Sequence, residues 1–136
     1  TFLAVHTVGR KAEAGLFPAE IAEKARAAAA AHGATLRKAI GMGIKIVFGT
    51  DSGVSVHGHN AEEFALMVDA GMTPASALRA ATSSAAQLLG IDGQTGSLEV
   101  GKAADIIAVP GNPLEDIRQM EKVELVMKGG ALIKTP

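Results

Sequence analysis

The sequence predicts an α/β fold, the end of a parallel barrel followed by a small β part. Residues 44–48 (Ile-Lys-Ile-Val-Phe) form an apolar run typical of a strand buried on both faces, as in parallel sheets. A long helical pattern precedes this run, and a polar Gly-Thr-Asp-Ser-Gly segment ends it. From Asp92 onward, short segments punctuated by glycine replace the helices. We therefore divide the chain into residues 1–92 and residues 93–136.

Strand, helix and strand follow one another in the first part. The β-branched residues at 1–8 predict a short strand, and residues 9–15 predict a polar loop. A Phe-Pro pair then opens an alanine-rich helix with apolar residues every three or four positions, which Gly41 and Gly43 end. The strand at 44–48 completes the βαβ pattern of a parallel sheet. Because a complete (β/α)₈ barrel needs roughly 200 residues or more, these elements predict only the end of one.

Two further helices are predicted before the change at residue 92. Asn60 is a candidate N-cap with Glu63 three residues later, the spacing of a capping box. Thr73 and Pro74 then place a cap and a proline at the start of the second helix, which is expected to run to Gly90.

Strands and turns are predicted in the second part. Residues 105–109 read as a strand, and two apolar runs joined by Gly129 and Gly130 predict a hairpin. Asp105 lies at the start of its strand, where a structural hydrogen-bonding role is favoured over a functional one.

Composition excludes several classes of function. The 136 residues are 48% hydrophobic with a net charge of −1, so disorder is not expected. There is no basic patch and neither Trp nor Tyr, which argues against nucleic-acid binding. No apolar run approaches the roughly 20 residues of a membrane span. Cysteine is absent, which indicates no particular compartment; the cytoplasm is the default. Because the chain begins with Thr1, a processed or partial product is expected.

Asp51 is the leading candidate functional residue. It follows the apolar run at the end where α/β barrels place their chemistry, and a charged side chain there needs a partner or a metal. Without cysteine, a metal must be held by His and carboxylate ligands, which suits zinc, manganese or iron. The alternative is a solvated turn, because Thr-Asp-Ser-Gly is also ordinary turn composition.

Six motifs follow one another in order along the chain. They are Gly-Thr-Asp-Ser-Gly at 49–53, His57-Gly58 with Asn60, Ala-Gly-Met-Thr-Pro at 70–74, Ala-Leu-Arg-Ala-Ala-Thr at 77–82, Gly-Ser-Leu-Glu-Val-Gly-Lys-Ala-Ala-Asp at 96–105 and Gly-Asn-Pro-Leu at 111–114. Together they resemble the C-terminal part of the amidohydrolase superfamily, over about residues 36–134. Within it the likeness is greatest to the prolidase-like branch of Xaa-Pro dipeptidases, with imidazolonepropionases nearby.

The resemblance implies a metal-dependent hydrolase that cleaves a C–N bond in a dipeptide or related amide. It implies a (β/α)₈ barrel in which residues 44–48 are the eighth strand and residues 1–8 roughly the seventh, with a small β-sandwich to which residues 93–136 contribute. Asp51 matches the family's eighth-strand aspartate, which binds metal and shuttles the proton of the attacking water. The resemblance therefore implies one or two divalent ions, with zinc favoured. A cyclic amidase similar to imidazolonepropionase, or a deacetylase, is the alternative within the superfamily.

The sequence departs from the family pattern in its metal ligands. The His-x-His pair of the first strand, the bridging lysine or glutamate and the histidines of the fifth and sixth strands have no counterpart here. Since a zinc site usually takes three or four protein ligands, the chain alone is expected to be inactive. Its expected partners are the missing N-terminal part of the barrel or further copies of itself. A non-catalytic structural or interaction fragment is the remaining alternative.

Three residues after Asp51 are candidate substrate contacts: His57, His59 and Asn60. The two histidines have a spacing that would let both face one ion from a strand, but Gly58 indicates a loop. In the family this loop borders the pocket, so substrate contact is favoured over metal ligation, and a solvated loop is the other interpretation. Asn60 is explained equally well as a helix cap.

Overall fold

The computed structural model describes all 136 residues, which form a mixed helix and strand chain. The five α-helices are α1 (Leu3–Glu13), α2 (Ala19–Gly41), α3 (Glu62–Asp69), α4 (Pro74–Ala81) and α5 (Ser83–Leu89). The strands are β1 (Ile106–Ala108), β2 (Leu125–Lys128) and β3 (Ala131–Lys134), and a 3-10 helix (Ile117–Glu121) lies between β1 and β2. None of the helices combines the length and apolar character that crossing a membrane requires.

Helix α3 lies at the centre of the packing. Its apolar face contacts α1, α4 and the 3-10 helix. The buried cluster around it consists of Phe2, Phe64, Ala65, Met67, Ala70, Ala77, Ala80, Ile117 and Met120. The 3-10 helix belongs to the second part of the chain, so this packing spans residue 92, and the division into 1–92 and 93–136 stays a prediction.

The strand predicted at residues 1–8 is wrong, because these residues enter α1, which also takes up most of the predicted loop. The buried residues of α1 lie at helical spacing: Leu3, Ala4, Thr7, Gly9 and Ala12. The Glu63 carboxylate accepts the backbone N–H groups of Phe2 at 2.8 Å and Leu3 at 2.6 Å, donors that a helix leaves unpaired at its N-terminus. Strand propensity is a weak preference, and here the packing and the cap from α3 decide.

The long alanine-rich helix is confirmed as α2, but residues 44–48 after it form no strand. The single sheet of this chain contains only β1, β2 and β3, so residues 44–48 have no neighbouring strand with which to form a ladder. The Phe48 N–H instead donates to the Ala80 carbonyl at 3.0 Å, and the Phe48 ring lies 4.5 Å from that of Phe64. Ile44, at the other end, is 54% exposed.

Of the two predicted helix caps, the one at α3 is wrong and the one at α4 is confirmed. Helix α3 begins after Ala61 without a side-chain cap, and Asn60 turns its side chain into the preceding loop. At α4 the Thr73 hydroxyl accepts the Ser76 N–H at 3.1 Å, as predicted. The helix expected to continue to Gly90 is interrupted at Thr82, which separates α4 from α5.

The three strands form an antiparallel sheet in the order β1-β2-β3. The hairpin predicted at Gly129 and Gly130 joins β2 to β3, and β1 lies within the predicted strand 105–109. Asp105 has the structural role predicted for it, since its Oδ1 accepts the Gly129 N–H at 2.7 Å.

Gly96 is packed closely against α5, and replacing it should destabilise the protein. A Cβ at this position would lie 2.6 Å from the Ala86 Cβ, on a backbone with φ of +90°. We expect Gly96→Ala to lower the free energy of unfolding by about 3 kcal/mol, from overpacking together with left-handed strain. Urea denaturation measures this loss.

Gly101 provides the matched control, because it has the same φ of +90° with no atom within 4 Å of the added Cβ. Gly101→Ala should therefore cost only the backbone term of about 1–2 kcal/mol. Equal losses in the two variants would show that the contact with Ala86 does not matter.

Candidate active-site loop

Asp51 stands out by its backbone conformation. It is exposed, and it is the only residue other than glycine with a positive φ, at +48°. L-residues avoid this left-handed region, although Asp and Asn tolerate it better than most. The conformation therefore has to be stabilised by the surrounding loop.

A hydrogen-bond network centred on Asn60 ties together the residues on both sides of Asp51. The Asn60 Nδ2 donates to the Thr50 Oγ1 at 2.8 Å and to the Ser52 Oγ at 3.0 Å. The Asn60 Oδ1 accepts the Gly58 N–H at 3.2 Å. Ser52 Oγ also donates to Thr50 Oγ1 at 3.1 Å. The loop therefore closes on itself around Asp51 through side chains.

Helix α1 and Thr1, which precedes it, contact the same loop from outside. The Thr1 hydroxyl donates to the Thr50 carbonyl at 2.8 Å, and the Lys11 Nζ donates to the Val54 carbonyl at 2.8 Å. Because Glu63 of α3 caps α1, the loop is linked to the core through both α1 and α3.

His57 and His59 are both exposed in this loop. His59 Nδ1 lies 2.9 Å from Glu62 Oε1, and the other Glu62 oxygen lies 3.4 Å from the Arg10 guanidinium. His59 is thus engaged with an acid at the start of α3.

The residues of this chain do not make up a metal site. No group of three or more His, Asp or Glu side chains is placed to hold an ion. A catalytic zinc ion takes three protein ligands, and a structural one takes four. Asp51 could supply one carboxylate ligand to a divalent ion, and the other ligands are not present among these residues.

Glu99 carries the clearest pKa shift, and it lies in the β part. Hydrogen bonds from Ser97 at 2.6 Å and Lys102 at 3.2 Å, together with the Lys102 charge, hold the pKa of the Glu99 carboxyl below its usual range. All three side chains lie within residues 97–102, so the cluster is a local arrangement of that segment.

Sequence reasoning assigned Glu63 to a capping box with Asn60 and missed its burial. Glu63 is only 2% exposed. The available signal was its position four residues before Met67, on the apolar face of the predicted helix. A buried carboxylate must have partners, and the N-terminus of α1 supplies them.

Comparison with known proteins identifies the family. A sequence model described as "Amidohydrolase family" matches residues 8–133. Ochratoxinase from Aspergillus niger is 40% identical over 118 residues, which cover 83% of this chain and 24% of that protein. The crystal structure of the A. niger ochratoxinase aligns with 36% identity and a TM-score of 0.78, over 98% of this chain and 31% of that one.

Two prolidase-like structures align over nearly all of the chain. A Xaa-Pro dipeptidase with methionine bound in its active site has 43% identity and a TM-score of 0.91, covering 98% of this chain and 33% of that one. A putative prolidase from Bifidobacterium longum has 32% identity and a TM-score of 0.85, covering 99% and 34%. The chain therefore spans about a quarter to a third of the length of these relatives. It belongs to the amidohydrolase family, in the prolidase-like branch that these structural neighbours represent.

Proposed function

We propose that this chain is the C-terminal part of a metal-dependent hydrolase that cleaves a C–N bond in a dipeptide or related amide. The observation that carries the proposal is Asp51, held in a left-handed conformation by a braced loop, within the segment that matches the amidohydrolase family. The similarity to a Xaa-Pro dipeptidase favours dipeptides as the substrate class.

In this proposal Asp51 has two roles, as a metal ligand and as the proton shuttle. One or two divalent ions, most readily zinc, would lower the pKa of a bound water toward 7 when held by Asp51 and further ligands. The Asp51 carboxylate takes the proton of the attacking water and returns it to the leaving amine. The remaining ligands would come from outside residues 1–136, since no group of three or more His, Asp or Glu side chains is placed to hold an ion here.

The loop after Asp51 would border the substrate. His57 and His59 are exposed there and free to contact a bound dipeptide, with His59 already oriented by Glu62. Substrate contact by Asn60 stays an untested prediction, and the bonds of its side chain within the loop argue against it.

We also propose that the rest of a (β/α)₈ barrel and of a β-sandwich completes this chain. Only 17 of the 136 residues are buried, and large apolar side chains such as Ile44, Leu132 and Ile133 are more than half exposed. A barrel would give residues 44–48 the neighbouring strands that they lack. The partner is then the N-terminal part of the barrel, with a second copy of the chain as the alternative.

A substrate panel combined with metal removal tests the proposal in the full-length enzyme. We expect hydrolysis of Xaa-Pro dipeptides to exceed that of cyclic amides and N-acetyl compounds. Dialysis against a chelator should abolish it, and added zinc should restore it, because hydroxide at neutral pH depends on the ion. An ochratoxin substrate belongs in the panel because of the A. niger relative.

The other outcomes of the panel are equally informative. Preference for cyclic amides or N-acetyl compounds would replace the dipeptidase proposal, and activity that survives chelation would exclude metal dependence. No hydrolysis at all would favour a structural fragment. Size-exclusion chromatography of the chain, with and without the N-terminal part, tests the proposed partner, and a stable monomer that binds no such part would contradict it.

A further inference from the structure

We propose that Asn60 is a positioning residue that fixes the backbone of Asp51, and that it does not contact substrate. This inference rests on the proposed function, because it assigns Asn60 to the same reaction as Asp51.

The side-chain amide of Asn60 forms its hydrogen bonds with residues of the loop. A side-chain amide has two N–H donors, and those of Asn60 are directed to the hydroxyls of Thr50 and Ser52 at 2.8 and 3.0 Å. Its oxygen accepts the Gly58 N–H at 3.2 Å. A substrate acceptor would have to displace one of the two bonds from the Asn60 nitrogen in order to accept from it.

Thr50 and Ser52 flank Asp51 directly, so one side chain bridges the residues before and after it. The bridge spans the position with the single positive φ among the residues other than glycine. Holding both neighbours restricts the rotations by which Asp51 could relax toward the right-handed region.

Asn60 itself is anchored by the core. It precedes α3 by two residues, and Phe64 and Met67 of that helix belong to the buried cluster. The surrounding loop is largely exposed, including residues 53, 54 and 56–59. Asn60 therefore connects a rigid helix to the backbone on both sides of a catalytic carboxylate.

Kinetics of the full-length enzyme separate positioning from substrate binding. Since a displacement of about 1 Å can cost roughly 100-fold in rate, we expect Asn60→Ala to lower kcat by roughly that factor. KM should stay unchanged, because no interaction with the substrate is removed. Asn112→Ala is the matched control: this asparagine makes similar short-range hydrogen bonds, to the Leu114 N–H and to Glu115, in the β part. It should leave kcat and KM unaltered.

Variants at Thr50 test the same bridge from its other end. Thr50→Val removes the hydroxyl with little change in shape and should lower kcat, whereas Thr50→Ser keeps the hydroxyl and should recover it. The losses in the double variant Asn60→Ala with Thr50→Val should be less than additive, because both substitutions remove the Asn60–Thr50 hydrogen bond. Hydrogen exchange gives a readout independent of turnover: amides 50–58 should exchange faster in Asn60→Ala while those of α3 keep their protection.

Several results would overturn the inference. A raised KM with unchanged kcat would make Asn60 a substrate contact, and unaltered kinetics or additive losses with Thr50→Val would exclude the bridge. Faster exchange throughout α3 would show a general loss of structure. An active Asp51→Asn enzyme would refute the proposed function itself, whereas an inactive one together with any of these results refutes only the role of Asn60.

Discussion

Replacement of Asp51 by asparagine in the full-length enzyme is expected to reduce kcat by roughly 10²–10⁴-fold, the range for loss of a positioned general acid–base group. Asparagine has nearly the same shape and also tolerates the left-handed region, so the φ of +48° can be kept. The free energy of unfolding should therefore change by less than about 0.5 kcal/mol. The substitution removes the proton-accepting carboxylate and little else.

Steady-state kinetics and urea denaturation of the same preparations measure the two effects. Asp92→Asn is the control, because it removes one exposed carboxylate near the junction of the two predicted parts. It should leave both kcat and stability unchanged. An Asp51→Asn enzyme with wild-type turnover would mean that this carboxylate neither binds the metal nor carries the proton.

The local features of this chain were predictable because short-range chemistry determines them. The Thr73 cap depends on a hydroxyl three residues from the N–H that it accepts, and the hairpin depends on Gly129 and Gly130. The motif around Asp51 could be recognised from consecutive residues alone. Its left-handed backbone could not, since the hydrogen bonds that surround it involve Asn60, which lies further along the chain.

The errors concern elements whose partners are remote in sequence. Residues 1–8 contain the β-branched residues typical of a strand, yet they enter a helix because Glu63, about sixty residues away, caps it. Residues 44–48 have the composition of a buried parallel strand, but they form no strand in this chain. A strand also requires neighbours, and this chain does not supply them.

The hydrogen bonds from α1 to Glu63 of α3 predict a large effect on stability when Glu63 is replaced. We expect Glu63→Ala to lower the free energy of unfolding by about 3 kcal/mol, because hydrogen bonds to a charged group are lost and donors in the interior are left unpaired. Glu63 accepts the N–H groups of Phe2 and Leu3, and a carboxylate at a helix N-terminus is also favoured by the helix dipole. Glu63→Gln keeps the volume and one acceptor oxygen, so its loss should be smaller.

The neighbouring residue provides a matched control for this measurement. Glu62 also pairs across to α1, through Arg10 at 3.4 Å, but it is partly exposed, and such ion pairs contribute about 0–1 kcal/mol. Urea denaturation of Glu62→Ala and Glu63→Ala therefore compares a surface contact with a buried cap between the same two helices. Hydrogen exchange of α1 should rise strongly only in Glu63→Ala. If both variants lose the same stability, the cap does not hold α1 in place, and its helical conformation arises from packing against α2 instead.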